Sequence, residues 1–359
     1  MSFGVGRIST LMFSQMNRDL VTRTSLSLQK AGQELSTGRR SDIFLELGPS
    51  ATASLTLRSR LNEIDAFSTS NTLLMGRLQT QLNSVDTVRN QVQSVLETAL
   101  ANSSSPTAGA ETLQLQARTA LETVISQLNI SFNGEALFGG TRSGVQPMTE
   151  YTAVNSSTGL SPEAVIASVV SGPPSTVSEA QSIFDDLDAI FDSTATVTST
   201  NYEETFYSGT PALDSGGLPN RRVSARIEPG LDLQFGIQAN DEPFREVIKG
   251  LSMLAAIDVS EIPSSEVYVS YMERVVEVLG GASTKTLTLT AEIGFRQQVV
   301  DTAQQRLDAL SLVYENQVAM LENVDPYEAA TRMQSLETQL RATYEVTAQF
   351  GNLSLLNYL

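Results

Sequence analysis

Both ends of this chain carry apolar residues at alternating steps of three and four, and the middle does not. Near the C-terminal end Val300, Ala303, Leu307, Leu310, Tyr314, Gln317 and Leu321 keep that spacing, with Gln317 as the polar exception. Beyond Asn323 a second stripe follows in Met333, Leu336, Leu340, Tyr344, Thr347 and Phe350. The N-terminal end has Ile8, Met12, Met16, Leu20, Leu28, Ala31 and Leu35, then a longer series of Leu57, Leu61, Ile64, Leu74, Leu78, Leu82, Val85, Val92, Leu96 and Ala99. Residues three or four apart share one face of an α-helix, so each stripe needs a partner helix to cover it. From Leu55 to Ala101 there is no proline and one glycine, Gly76. A helix of that extent is about 70 Å long, and periodic patterns beyond about 25 residues favour paired long helices over a compact globule. The expected fold is mainly α: an elongated coiled-coil or helical bundle formed by the N- and C-terminal segments, with an inserted α+β or β-rich middle domain.

Composition narrows the chemistry. With 23 Lys and Arg against 40 Asp and Glu, the net charge of −17 repels phosphate backbones and anionic lipid, so neither nucleic acid nor membrane insertion is expected. No apolar run is long enough to span a bilayer, and the N-terminus lacks a basic segment followed by an unbroken apolar one, so no cleavable secretory signal is expected. Cysteine and histidine are both absent, which removes thiolate catalysis, imidazole acid-base chemistry and most transition-metal sites. No cofactor is expected.

Turn signals set the boundaries. Ser36-Thr37-Gly38-Arg39-Arg40 and Gly48-Pro49 separate the first two helices, and Ser105-Pro106 suits the N-cap and first position of a third, ended by Asn133-Gly134. From Leu137 to Asn240 short apolar runs lie among Ser, Thr, Gly and Pro. Residues 222–227 and 231–235 alternate with period two around Pro229-Gly230, the pattern of a hairpin. Helical spacing returns at Phe244–Leu254 and at Val267–Leu279, before Gly280-Gly281. Asp325-Pro326-Tyr327-Glu328 restarts the last helix, with Asp325 as cap and Glu328 placed to reach back to it. The expected division is 1–40 with 323–359 as terminal coiled-coil segments, 41–140 with 282–322 as the long bundle, and 141–281 as a middle domain able to fold on its own core.

Catalytic constellations are sparse. Asp185-Asp186, Glu203-Glu204 and Asp241-Glu242 sit in polar segments and read as solvated surface. Residues 138–144 are glycine-rich but lack the lysine and spacing of a phosphate loop, and read as a turn. No catalytic, cofactor or metal residue is assigned.

Several short motifs point to a family. Arg7-Ile8-Ser9-Thr10 with Met12, and above all Leu35-Ser36-Thr37-Gly38-Arg39-Arg40, resemble the N-terminal motifs of the flagellin superfamily. Phe138-Gly139-Gly140-Thr141 with Pro147, Asp325-Glu328-Ala329 and the ending Ser354-Leu355-Leu356-Asn357-Tyr358-Leu359 are similar to its hook-filament junction members. After Arg40 the family's usual polar run is replaced by Ser41–Pro49, of which an acidic residue and a proline remain. The resemblance implies a non-enzymatic flagellar subunit, exported through the flagellar type III channel to the outside of the cell. Its partners would be a neighbouring hook-associated protein, flagellin and an export chaperone. It also implies that Met1–Leu35 and Tyr327–Leu359 pair as an inner layer surrounded by residues 55–130 and 287–321, with the middle domain projecting outward. Residues carrying assembly would be Ile8, Met12, Met16, Leu20, Leu35, Leu307, Leu310, Tyr314, Leu321, Leu336, Leu340, Tyr344, Phe350, Leu355, Tyr358 and Leu359. The motif residues are Ser36, Thr37, Gly38, Arg39, Phe138, Gly140 and Asp325. Two other readings stay open: flagellin proper, and a carboxylate hydrolase in the middle domain on a helical stalk.

Overall fold

The computed structural model describes residues 10–105 and 109–352. Among these, helices dominate. They are α1 (Thr10–Thr37), α2 (Ile43–Leu47), α3 (Ala51–Ala101), α4 (Ala110–Leu128), α5 (Pro162–Val169), α6 (Val177–Phe191), α7 (Glu242–Ala256), α8 (Ser265–Glu322) and α9 (Pro326–Asn352). Two antiparallel hairpins, β1 (Ser131–Phe132) with β2 (Glu135–Ala136) and β3 (Ser224–Glu228) with β4 (Leu231–Gln234), complete the middle of the chain. The fold is a mainly α protein whose terminal helical segments flank a middle region with small sheets. It divides into two compact units, residues up to Asp65 together with those from Asp308, and Ala66–Leu307.

In the first unit α1 packs against α9. The buried and half-buried line of α1 is Asn17, Val21, Thr24, Leu28, Ala31 and Glu34, and that of α9 is Ala329, Met333, Leu336, Leu340 and Thr343. This corrects the stripe read from sequence: Met12, Met16, Leu20 and Leu35 on α1, and Tyr344 on α9, face outward. The packed line of α1 is the one carrying the short side chains Asn17, Thr24 and Ala31, so the bulkier thioethers are left outside. Gly38 ends α1 at φ 69°, a left-handed turn that a side chain would strain.

In the second unit Pro106, expected to open α4, lies outside the described residues; α4 runs from Ala110, behind Gly109. It ends at Leu128, earlier than expected. Asn133-Gly134, both at positive φ, are instead the turn of the β1–β2 hairpin, where Asn-Gly is the favoured pair. Pro229-Gly230 turns β3 into β4 as the alternation predicts, and Ser161 and Thr176 cap α5 and α6 through Ala164 N and Glu179 N, both at 3.1 Å.

Gly280-Gly281 do not interrupt α8, against expectation. Each glycine costs a helix about 1 kcal/mol, which the fully buried Tyr271, Val275, Leu279 and Ala282 on one face offset. Opposite them Gly250 of α7 is needed for close approach, since a β-carbon there would lie 2.9 Å from Leu279 Cγ. The core is one continuous cluster from Leu74 on α3, through α4, α6 and α7, to Ala303 on α8. Residues 141–281 contribute to this cluster. Their apolar faces are completed by α3 and α4. Charged ties add to this, Asp188 of α6 accepting from Lys249 of α7 at 2.7 Å and Arg274 of α8 at 2.9 Å.

Candidate assembly surface

The most structured polar site in the first unit joins its two chain breaks. Gly38 at the end of α1 accepts a hydrogen bond from Val324 N at 3.0 Å, and Arg40 N donates to Glu322 O at 2.8 Å, so Arg39 and Asn323 form an antiparallel bridge. Ser36 and Thr37 donate their hydroxyls to Gln33 O at 3.0 and 2.8 Å, closing the last turn of α1. The motif Ser36-Thr37-Gly38-Arg39 is thus a clamp between the α1–α2 turn and the α8–α9 break. On the other side of that break Asp325 Oδ1 accepts from Tyr327 N at 2.8 Å, the expected cap. Glu328 does not reach back to the cap; it pairs with Arg332 at 2.8 Å one turn later, because an i, i+4 cation competes for its carboxylate.

Two buried carboxylates anchor the clamp, and neither was singled out from sequence. Glu322, fully buried, accepts from Ser54 Oγ, from Arg58 Nε at 2.8 Å and from a second Arg58 nitrogen. The Arg58 hydrogen bonds hold its carboxyl below the usual carboxylate range against the opposing effect of burial. Glu34 lies between Ser41 N at 3.1 Å and Arg332 at 3.5 Å. Burial pushes its carboxyl up, but the hydrogen bonds from Ser41 and the charge of Arg332 prevail and the net shift is down. A glutamate on the packed line of a helix, as Glu34 is relative to Thr24 and Ala31, is the signal that would have found it.

Outward from this clamp, apolar side chains remain uncovered. Leu310 and Val313 are 44% and 48% exposed and Met320 84%; with Gln317 they step by three, four and three along α8, a second stripe with no partner helix among the described residues. Leu310 and Gln317 belong to that outer stripe rather than to the internal seam, which runs through Leu307 and Val318 with Tyr314 and Leu321 at its half-buried edge. On α1, Met12 and Met16 are 65% and 64% exposed one turn apart, with Leu20 continuing the line. Leu336 and Leu340 are half-buried on α9. Ile8, Leu355, Tyr358 and Leu359, and the side chain of Phe350, lie outside the described residues. Exposed apolar stripes of this kind mark surfaces built to be covered.

Phe138 and Gly140 sit elsewhere, inside the second unit. Phe138 is buried edge-on against Phe244 with ring centroids 5.6 Å apart, and Gly140 turns at φ 66° where a β-carbon would meet Thr210 Oγ1 at 2.8 Å. Thr210 Oγ1 in turn accepts from Thr141 N at 2.8 Å. The glycine-rich segment is a packed turn.

The acidic pairs serve structure as well. A cleft of about 420 Å³ contains Asp241, Glu242 and Glu292, but Arg222, Lys285 and Arg296 neutralise them in turn, at 2.6, 2.6 and 3.3 Å. The Lys285 hydrogen bond holds the Glu242 carboxyl low, the reverse of what a general acid needs. Glu203 accepts from Ala212 N at 2.9 Å. Among the described residues no group of acids is arranged to hold a metal ion, and no helix is long and apolar enough to cross a membrane.

Two family models match the chain. That of the bacterial flagellin N-terminal helical region takes in residues 8–143, and that of the bacterial flagellin C-terminal helical region takes in residues 276–359; together they span more than half of the sequence. A solved structure assigned as a flagellar hook-associated protein from Vibrio parahaemolyticus is 12% identical, with a TM-score of 0.49 over 76% of this chain and 97% of that one. No curated protein matches. The matched helical regions contain both halves of the clamp and both uncovered stripes, and the chain belongs to the flagellin family, as a structural protein of the bacterial flagellum.

Proposed function

We propose that this subunit forms the junction between hook and filament, binding a hook-associated protein on one side and flagellin on the other. The observation that carries its assembly role is the pair of uncovered stripes, Met12–Met16–Leu20 on α1 and Leu310–Val313–Met320 on α8, on a unit in which α1 already packs against α9. Such a face gains by burial against neighbouring subunits, at roughly 25 cal/mol per Å² of apolar surface removed from water. The junction position, rather than the bulk of the filament, is supported by the resemblance of the Phe138–Thr141 turn, Pro147 and the Ser354–Leu359 ending to junction members of the family. In this reading the chain leaves the cell through the flagellar type III channel, guided by its N-terminal segment and an export chaperone. Part of residues 141–281 faces away from the axis.

Deleting the gene in the flagellated source organism tests the proposal. Intact hooks without filaments, with flagellin released into the medium, are expected. Filaments of normal length on those hooks would overturn it. If the purified chain instead extends hooks into long filaments, it is the filament subunit itself.

A further inference from the structure

We propose that Met12, Met16 and Met320 are the oxidation sites through which peroxides inactivate the unassembled subunit. The chain has no cysteine, so its nine methionines are its only oxidisable sulfur, and no thiol competes for a two-electron oxidant. Their placement is uneven. Met148, Met253 and Met272 are buried in the core of the second unit, and Met75 and Met333 are half-buried. Met12, Met16 and Met320 are 65%, 64% and 84% exposed, all three on the first unit and on its uncovered apolar stripes.

Oxygen transfer requires the oxidant to reach the sulfur. The thioether sulfur attacks one peroxide oxygen, the O–O bond breaks, an S–O bond forms, and the other oxygen leaves as water; methionine loses two electrons and the peroxide gains them. The product is a polar, chiral sulfoxide in place of an apolar side chain. On these stripes it would have to be desolvated on contact with a neighbour, and a buried polar group without a partner is costly. This consequence rests on the assembly reading above. It follows that the free subunit is sensitive, that the assembled one is shielded, and that a methionine sulfoxide reductase can reverse the damage.

Purified full-length protein treated with hydrogen peroxide, mapped by peptide mass spectrometry over time, tests the sites. Oxidation of Met12, Met16 and Met320 is expected to run roughly tenfold or more ahead of Met148, Met253 and Met272; equal rates would overturn the proposal. Treated and untreated protein are then added to hooks isolated from a strain lacking the gene. Treated wild type should lose incorporation, and methionine sulfoxide reductase should restore it. Full incorporation of treated wild type, or a loss that the reductase does not reverse, would overturn the consequence. Failure of untreated wild type to incorporate would overturn the assembly reading instead, while the mapping still decides whether the sites exist.

Discussion

Glu322→Gln is the substitution whose cost follows most directly from the clamp. The carboxylate accepts from Ser54 Oγ and twice from Arg58, and the amide keeps its shape while losing the charge and one acceptor. Hydrogen bonds to buried charged groups contribute about 1.5–3 kcal/mol, and pairs in water about 0–1. Glu322 is 1% exposed but Arg58 43%, so the guanidinium can be rehydrated once it loses its partner and the lower part of the buried range applies. A loss of about 2 kcal/mol is expected. For a unit of this size melting on its own, that lowers the melting temperature by about 8 °C. Circular dichroism melts and urea titrations at neutral pH read it directly. A double-mutant cycle with Arg58→Met should return a coupling of about 1 kcal/mol or more, while Glu345→Gln, exposed on α9, leaves stability unchanged. A Glu322→Gln melt superimposable on wild type, with zero coupling to Arg58, would refute the reasoning.

Glu34 and Glu322 both have folded-state carboxyl groups below their ordinary value of 4.5, so the stability they contribute is complete above that pH and is lost as pH falls through the lowered values. Melting temperature should therefore drop below pH 4.5, less steeply in the double variant Glu34→Gln/Glu322→Gln; parallel pH curves would contradict this. Leu121→Ala, at a fully buried site on α4, should cost about 2–5 kcal/mol in urea titrations. Gly140→Ala combines a left-handed backbone with a collision against Thr210 and should cost about 1–3 kcal/mol or more, seen as a lower urea midpoint. Chelators should leave the melting curve unchanged.

The sequence displayed its periodicity more clearly than its choice of face. The long helices, the β3–β4 hairpin and the cap at Asp325 follow from residue type and spacing alone, since propensity and turn chemistry are local. Which apolar residues point inward is not local: Leu307 is buried and Leu310 is not, although both fit one three-four pattern, because burial is set by what packs against the helix and not by spacing. Gly280-Gly281 misled for a related reason, tertiary burial of Leu279 and Ala282 outweighing the glycines' helix cost. The clamp was half legible. Its motif Ser36–Arg40 stood out, but the pairs Arg58–Glu322 and Glu34–Arg332 meet across 264 and 298 positions of sequence and carry no local signature of their pairing.

The central claim is that the uncovered stripes, and not the internal seams, join this subunit to its neighbours. Its most direct test is the variant Met16→Asp/Val313→Asp, produced in a strain lacking the gene and followed by incorporation into hooks under the electron microscope. Both positions are about half exposed or more, so substitution there should leave the melting temperature of the purified chain within about 2 °C of wild type. The account predicts a folded, exported subunit that fails to join hooks and leaves the cells without filaments. Full motility and normal filaments from that variant would contradict it.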